Sequence, residues 1–418
     1  MFLRKIDERI KIIFLILLLL FIFIILRVFY VQMIDYKKLN EYASDLWSRD
    51  LPLEADRGLI LDRNGVVLAD NLTTTSLVLI PNQIKDKKKT TTLLADILGV
   101  SYEEMKEHVY KETSIERVHP EGRRLSYDVA EKIAALKLDG VYLVKEAKRY
   151  YPYGNMLSHS LGYVGIDNQG LSGLELQYDK YLTGKSGAIK YFSDAKGNKL
   201  NLSDIYVEPQ DGMNISLTID INIQKSLERE LDNVVDMFSP DMALAIVMDP
   251  NNGEILGMAS RPDYNPNQYQ DYTQEVLSRN LPIWASYEPG STFKIITTSA
   301  AVEEGVVDLN KDHFYDAGSV NVDGSTLRCW KAGGHGEQTF LQVLQNSCNP
   351  GFVKMGQLLG KETLFDYIDK FGFGAKTGVD LNGEGKGIIF NLDQVGNVEL
   401  ATTAFGQGVS VTPIHLVV

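Results

Sequence analysis

The most extended apolar feature of the chain lies at its start. Residues 12–26 carry no polar side chain, and apart from Arg27 and Gln32 the run continues to Ile34. About 20 apolar residues cross the hydrocarbon of a bilayer, so residues 12–34 suffice for a membrane anchor if Arg27 extends its charge to an interface. Arg4, Lys5, Arg9 and Lys11 precede the run, which places residues 1–11 on the cytoplasmic side and everything after Asp35 outside the cytoplasm. A cleaved signal peptide is the alternative. Bulky Arg27-Val28-Phe29-Tyr30 stands where a small-x-small cleavage site belongs, which favours the anchor.

Residues 36–215 read as a mixed α/β region. Two apolar runs in residues 57–68 meet at Asn64-Gly65, a pair that favours a two-residue type I′ hairpin turn. Arg57, Asp62 and Arg63 crowd this hairpin, and the reading is charge pairing to a neighbouring element. Leu93, Leu94, Ile97 and Leu98 mark a helix stopped by Gly99; Ser101 with Glu104 spells a capping box, and Ser126 is a cap for residues 129–136. Gly184-Lys185-Ser186 resembles the end of a phosphate-binding loop, but Asp179 stands where that motif requires glycine. Gly197-Asn198, Pro209 and Asp211-Gly212 mark a boundary. Beyond it, Ile223, Leu227, Leu231 and Val234 form one face of a helix. Residues 243–248 and 254–259 then read as an antiparallel hairpin. Residues 216–418 thus begin an α+β domain with helices packed on an antiparallel sheet.

In residues 292–304 the apolar positions Phe293, Ile296 and Ala300 recur at helical spacing, and Gly305 stops the run. Ser291 falls at the first turn, after Pro289-Gly290, where free backbone N–H groups favour developing negative charge. Lys294 lies three residues on and on the same face. A desolvated, neutral lysine can take the proton from a serine hydroxyl and make it a nucleophile. Ser347 and Asn349, one residue apart before a helix through residues 352–359, offer a proton-relaying hydroxyl and an amide facing one cleft. Each pair has a structural reading as well, a helix start for the first and a cap with Pro350 in the first turn for the second.

Composition narrows the classes. A net charge of −13 and a pI near 5.1 argue against a nucleic-acid partner. Cys329 and Cys348 are the only cysteines and the six histidines are scattered, so neither a disulfide scaffold nor a cysteine-built zinc site is expected, and neither a metal nor a cofactor is called for.

Ser291-x-x-Lys294 followed by Ser347-x-Asn349 resembles the penicilloyl-serine transferases. The flanks Glu288-Pro289-Gly290, residues 57–65 with Arg57-Gly58 and Asp62-Arg63-Asn64-Gly65, Gly173-Leu174-Glu175 and Phe405-Gly406-Gln407-Gly408 are similar to class B penicillin-binding proteins. Cys329-Trp330-Lys331, Gly334-His335-Gly336 and Ser347-Cys348-Asn349 look most like their sporulation and division type. The resemblance implies a pedestal, or dimerisation, domain followed by a transpeptidase domain that cross-links peptidoglycan stem peptides. Ser291 would be the nucleophile, Lys294 the general base, Ser347 the relay and Asn349 the group that holds the substrate amide. The Ser291 N–H would be one oxyanion donor, and β-lactam antibiotics would acylate the same serine. Implied partners are the membrane, a glycan-polymerising membrane synthase, and division or sporulation proteins.

The family's third motif is Lys-Thr/Ser-Gly on a strand. Lys376-Thr377-Gly378 spells it, but Gly372, Gly374, Asp380, Asn382-Gly383 and Gly385 around it are turn composition, so it is not read as that motif. In the family the catalytic strand follows well after the segment resembling Phe405-Gly406-Gln407-Gly408. The expectation is therefore a sequence that stops before the third motif. A D,D-carboxypeptidase, a β-lactamase-like acylase and a non-catalytic division scaffold are the competing readings. The two cysteines lie in the exported part, where disulfides persist. A bridge through Cys348 would displace Ser347 and Asn349, so a redox switch is a further expectation, against two buried, inert thiols.

Overall fold

The computed structural model describes residues 2–39, 48–113, 115–192 and 205–418; the Gly197-Asn198 part of the boundary signal lies outside them. Helix Phe2–Met33 includes Ile13–Met33, a stretch long and apolar enough to cross a membrane. Nearly all the large apolar side chains of that stretch are exposed. The rest of the chain forms α+β structure whose contacts divide it into two compact units.

The first unit comprises Met1–Asp56, Thr73–Lys148 and Gly184–Asp211. Strand Val67–Leu79 turns Leu77 and Leu79 inward, against Leu94, Met105, Val109 and Ile133 from helices Lys87–Leu98, Tyr102–Val109 and Tyr127–Ala135. Gly99 closes the first of these helices at φ 70°, and both hydrogen bonds of the Ser101–Glu104 capping box form. Ser126 occupies the N-cap position, but its side chain makes no capping hydrogen bond.

The second unit comprises Arg57–Leu72, Arg149–Thr183 and Gly212–Val418. One buried carboxylate binds its first two segments together. Glu175 accepts from Arg57 Nε at 2.6 Å, from Arg149 Nε at 2.6 Å and from the Tyr151 hydroxyl at 3.2 Å. Arg57 also donates to Asp179 at 2.7 Å. The charge pairing expected of the hairpin is thus present, with Arg63 reaching Glu254 at 3.1 Å and Asp62 accepting from the N–H groups of Asn64, Val66 and Ile221.

Strands Ile60–Leu61 and Val67–Leu79 do pair antiparallel, but the turn is not type I′. That turn needs positive φ at both central residues. Here Gly65 alone has it, at 84°, and the register shifts between Ile60 and Leu61, the mark of a bulged hairpin.

Helix Ile221–Phe238 lies on the hairpin of Ala243–Met248 and Ile255–Arg261, burying Leu227 and Leu231. The larger core belongs to helices Lys294–Glu303, Asn349–Lys370 and Asn397–Thr403. They bring Phe293, Ile296, Ala300, Phe352, Met355 and Leu400 together. Helix Asn349–Lys370 is interrupted at Gly360, whose φ 75° and ψ 164° are not helical, so its first segment ends at residue 359, where the sequence reading ends it.

Glu175→Ala leaves two buried guanidinium groups without their shared anion, and breaking a buried pair in this way costs about 3–5 kcal/mol. Its denaturation midpoint is expected to fall sharply, while Lys311→Ala, at an exposed ion pair, leaves the transition in place. Equal midpoints for both variants would show that the Glu175 network does not hold the unit.

Candidate active site

Pro289 and Gly290, the latter at φ 55°, turn the chain into a short 3-10 helix, Gly290–Phe293, that runs directly into helix Lys294–Glu303. Ser291 stays exposed on this turn, while Lys294, 2% exposed, points inward. Residues 404–411, most of them buried, brace the turn. The Gly290 N–H donates to the Gly406 carbonyl at 2.9 Å, the Gly408 N–H to Glu288 at 2.8 Å, and the Thr297 hydroxyl to the Ala404 carbonyl at 2.8 Å. Gly406 has φ 80°, and a Cβ there would lie 2.1 Å from the Gly290 carbonyl oxygen, so no other residue fits.

Ser347 and Asn349 arrive from the start of helix Asn349–Lys370, with Cys348 at its N-cap. Lys294 Nζ lies 2.9 Å from the Ser347 hydroxyl, 2.9 Å from the Ser347 carbonyl and 2.7 Å from Asn349 Oδ1. The Ser347 and Ser291 hydroxyls are 3.0 Å apart. A hydrogen-bonded path therefore runs from Ser291 through Ser347 to Lys294. Asn349 Nδ2 donates to the Arg328 carbonyl at 3.2 Å, which keeps the other amide hydrogen for a ligand. Ser347 has φ 50°, an uncommon conformation for a residue with a side chain. All four predicted residues share one site.

The Lys294 amine is tuned by its surroundings. Burial lowers the Lys294 pKa from 10.5 to about 8, against a smaller opposing effect of Cys348 and Cys329. The ring of Phe352, 5.0 Å from Nζ, is part of that dry environment. A shift of this size disfavours the charged form by about 3 kcal/mol. At pH 7 a lysine of ordinary pKa is neutral in about one molecule in 3,000, this one in about one in ten.

Lys376-Thr377-Gly378 lies elsewhere. It is on no strand; the backbone N–H and hydroxyl of Thr377 both donate to Glu384 Oε1 at 2.6 Å, and Lys376 is exposed. It is irregular chain following a turn at residues 371–374, and not a strand.

A second cluster adjoins the site, and counting cysteines alone misses it. Side-chain donor atoms of Asp316, Cys329, His335 and Cys348 lie within 4.8 Å of one another. Both cysteines are free and buried; burial pushes the Cys348 thiol up to about 12 and raises that of Cys329. Two cysteines build no zinc site by themselves, but the fold adds a carboxylate and an imidazole. No regular spacing links the four residues in the sequence.

Residues 52–217 match the penicillin-binding protein dimerisation domain family, and residues 243–418 the penicillin binding protein transpeptidase domain family. Stage V sporulation protein D of Bacillus subtilis (strain 168) is 55% identical over 392 residues, 94% of this chain and 61% of that protein. The chain therefore spans less than two thirds of that relative's length. Peptidoglycan D,D-transpeptidase FtsI of Buchnera aphidicola subsp. Schizaphis graminum (strain Sg) is 30% identical over 417 residues, 97% of this chain and 70% of that protein. Among solved structures, penicillin-binding protein PBP2 of Helicobacter pylori, in complex with MreC, is similar with a TM-score of 0.74. The identity is 27%, over 88% of this chain and 75% of that one.

If Lys294 is the base, the reactivity of Ser291 toward an activated acyl donor rises about tenfold per pH unit below about 8 and levels off above it, because only the neutral amine accepts a proton. Stopped-flow acylation across this range checks it. A rate that is flat below about 8 would remove Lys294 from that role.

Proposed function

We propose that this chain, which belongs to the class B penicillin-binding proteins near their sporulation type, acts as a membrane-anchored serine D,D-transpeptidase on peptidoglycan stem peptides. The observation that carries this reading is the path from the exposed Ser291 hydroxyl through Ser347 to a buried lysine.

Ser291 attacks the carbonyl carbon of the D-Ala–D-Ala peptide bond. Its proton passes to Ser347, whose own proton passes to Lys294. The tetrahedral intermediate collapses, the C–N bond breaks, and the terminal D-alanine leaves with the proton returned from Lys294. The amino group of a neighbouring stem then attacks the acyl-Ser291 ester and gives its proton to the same path. A new peptide bond forms and the Ser291 hydroxyl is restored. Asn349 holds Lys294 in line through Oδ1 and offers its free amide hydrogen to the substrate carbonyl. A β-lactam acylates Ser291 in the same first step, but its leaving nitrogen stays tethered in the opened ring.

The stretch Ile13–Met33 of helix Phe2–Met33 is the anchor, with the N-terminus cytoplasmic and Ser291 outside. A glycan-polymerising membrane synthase and division or sporulation proteins are the partners this places nearby, and the MreC complex of the Helicobacter pylori protein is a precedent for such assembly. A scaffold without chemistry has no use for a lysine kept largely out of water.

In the full-length protein, labelled penicillin attaches covalently, and Ser291→Ala abolishes the label. Lys294→Ala slows it by about 10²–10⁴, the range for losing a general base, while Lys376→Ala leaves it unchanged. Labelling that survives Ser291→Ala contradicts the assignment.

A further inference from the structure

Trp330 is open to solvent beside the site, yet its ring is held in place. The residue is 69% exposed, while Nε1 donates to the Asn346 carbonyl at 2.8 Å and the ring meets that of His335 edge-on, with centroids 5.5 Å apart. A lone exposed apolar side chain is ordinary on a protein surface. An indole whose polar atom is already used and whose ring is fixed is a platform. Only carbon surface remains for contact, and little rotamer freedom is left to lose when a ligand covers it.

We propose that Trp330 is a specificity-determining residue of the site: its indole face packs against an apolar side chain carried on the acyl side of the scissile bond. This packing presupposes the transpeptidase site at Ser291, and gives that site a preference for donors with a long aliphatic or aromatic side chain.

Two hydrogen bonds lay the segment of Trp330 along the residues that hold Lys294. The Arg328 carbonyl accepts from Asn349 Nδ2 at 3.2 Å and Trp330 pairs with Asn346, so residues 328–330 and 346–349 run in opposite directions. Ser347 lies between those two contacts, and its hydroxyl is 3.0 Å from that of Ser291. The indole is therefore anchored one residue from Ser347, on the same strip of chain that presents Asn349 to a substrate carbonyl. Backbone bonds keep the segment there: the Cys329 N–H donates to the Gly318 carbonyl at 2.9 Å and the Gly334 N–H to the Lys331 carbonyl at 3.0 Å. Exposed Arg328 and Lys331 flank the ring, a polar rim around one apolar face.

The donor stays bound to Ser291 through the acyl-enzyme, so a contact to its side chain acts during acylation and persists after it. A methylene chain packed on an indole contributes apolar burial, and an aromatic ring adds stacking. Benzylpenicillin carries an aryl side chain on its acylamino group. 6-Aminopenicillanic acid has the same fused rings and the same reactive amide without that side chain. The difference between the two therefore isolates the contact. The bond from Nε1 to the Asn346 carbonyl supports the Ser347 turn as well, but its loss affects both compounds alike.

The test measures acylation rates of full-length protein with the two compounds. Benzylpenicillin is expected to react faster with the wild type, and Trp330→Leu to reduce the ratio of the two rates about tenfold, the scale of one lost aromatic contact. Trp330→Phe keeps an aromatic face without the Nε1 bond, and keeps most of the ratio. A role through the Asn346 carbonyl alone slows both compounds equally and leaves the ratio unchanged, and that result overturns the proposal. A second readout follows the indole itself and serves if Trp330→Leu fails to fold. Trp47, Trp284 and Trp330 are the three tryptophans, so Trp47→Phe combined with Trp284→Phe leaves Trp330 as the sole emitter. Complete acylation by benzylpenicillin shifts its emission to the blue and protects it from acrylamide quenching. Unchanged emission and quenching in fully acylated protein overturn the proposal as well. Cross-linking is scored separately: protein that acylates with the expected ratio but joins no stem peptides contradicts the transpeptidase reading and leaves the Trp330 contact standing. Protein that neither compound acylates contradicts both.

Discussion

An amine removed from water is the constraint on which the site depends. Lys294 is nearly inaccessible yet keeps three acceptors within 2.9 Å, two on Ser347 and one on Asn349. Burial favours the neutral amine and the acceptors favour the ammonium; burial wins, taking the pKa to about 8. Complete loss of the acceptors would leave the amine unpartnered in an apolar core; a more open site would leave it charged and useless as a base. Holding both at once demands that its neighbours be fixed closely.

Much of the second unit serves that fixing. Helix Lys294–Glu303 points the lysine inward because Phe293, Ile296 and Ala300 bury the same side of the helix. Residues 404–411 hold the turn that exposes Ser291, with Gly406 required by its contact with the Gly290 carbonyl. Helix Asn349–Lys370 delivers Asn349 from its first turn, and Cys348 ties that turn to Asp316. Ser291, Ser347 and Lys294 come from two helix starts, where the free backbone groups and short caps allow side chains of adjacent residues to converge.

The local part of this arrangement is legible in the sequence. Ser291 and Lys294 are three residues apart in a run with helical periodicity, so their common face follows from geometry. Ser347 and Asn349 pair with them only through the family resemblance, because 53 residues separate Lys294 from Ser347 and nothing in the spacing implies contact. The Asn64-Gly65 pair permits a type I′ turn without requiring it, and Asn64 keeps an ordinary φ. Asp316 carries no signal, and His335 shows only inside the segment Gly334-His335-Gly336 that takes part in the resemblance. A cluster assembled from four chain segments has no periodicity, and a cysteine count overlooks its members that are not cysteine.

The most direct measurement of the central claim is the titration of Lys294 itself. Full-length protein with lysine side chains labelled at 13Cε, compared with a Lys294→Arg variant to assign the resonance, gives the pKa of the amine by NMR. The account predicts one lysine that titrates near 8, apart from the others. A Lys294 that titrates near 10.5 with the rest would leave Ser291 without its base and contradict the account.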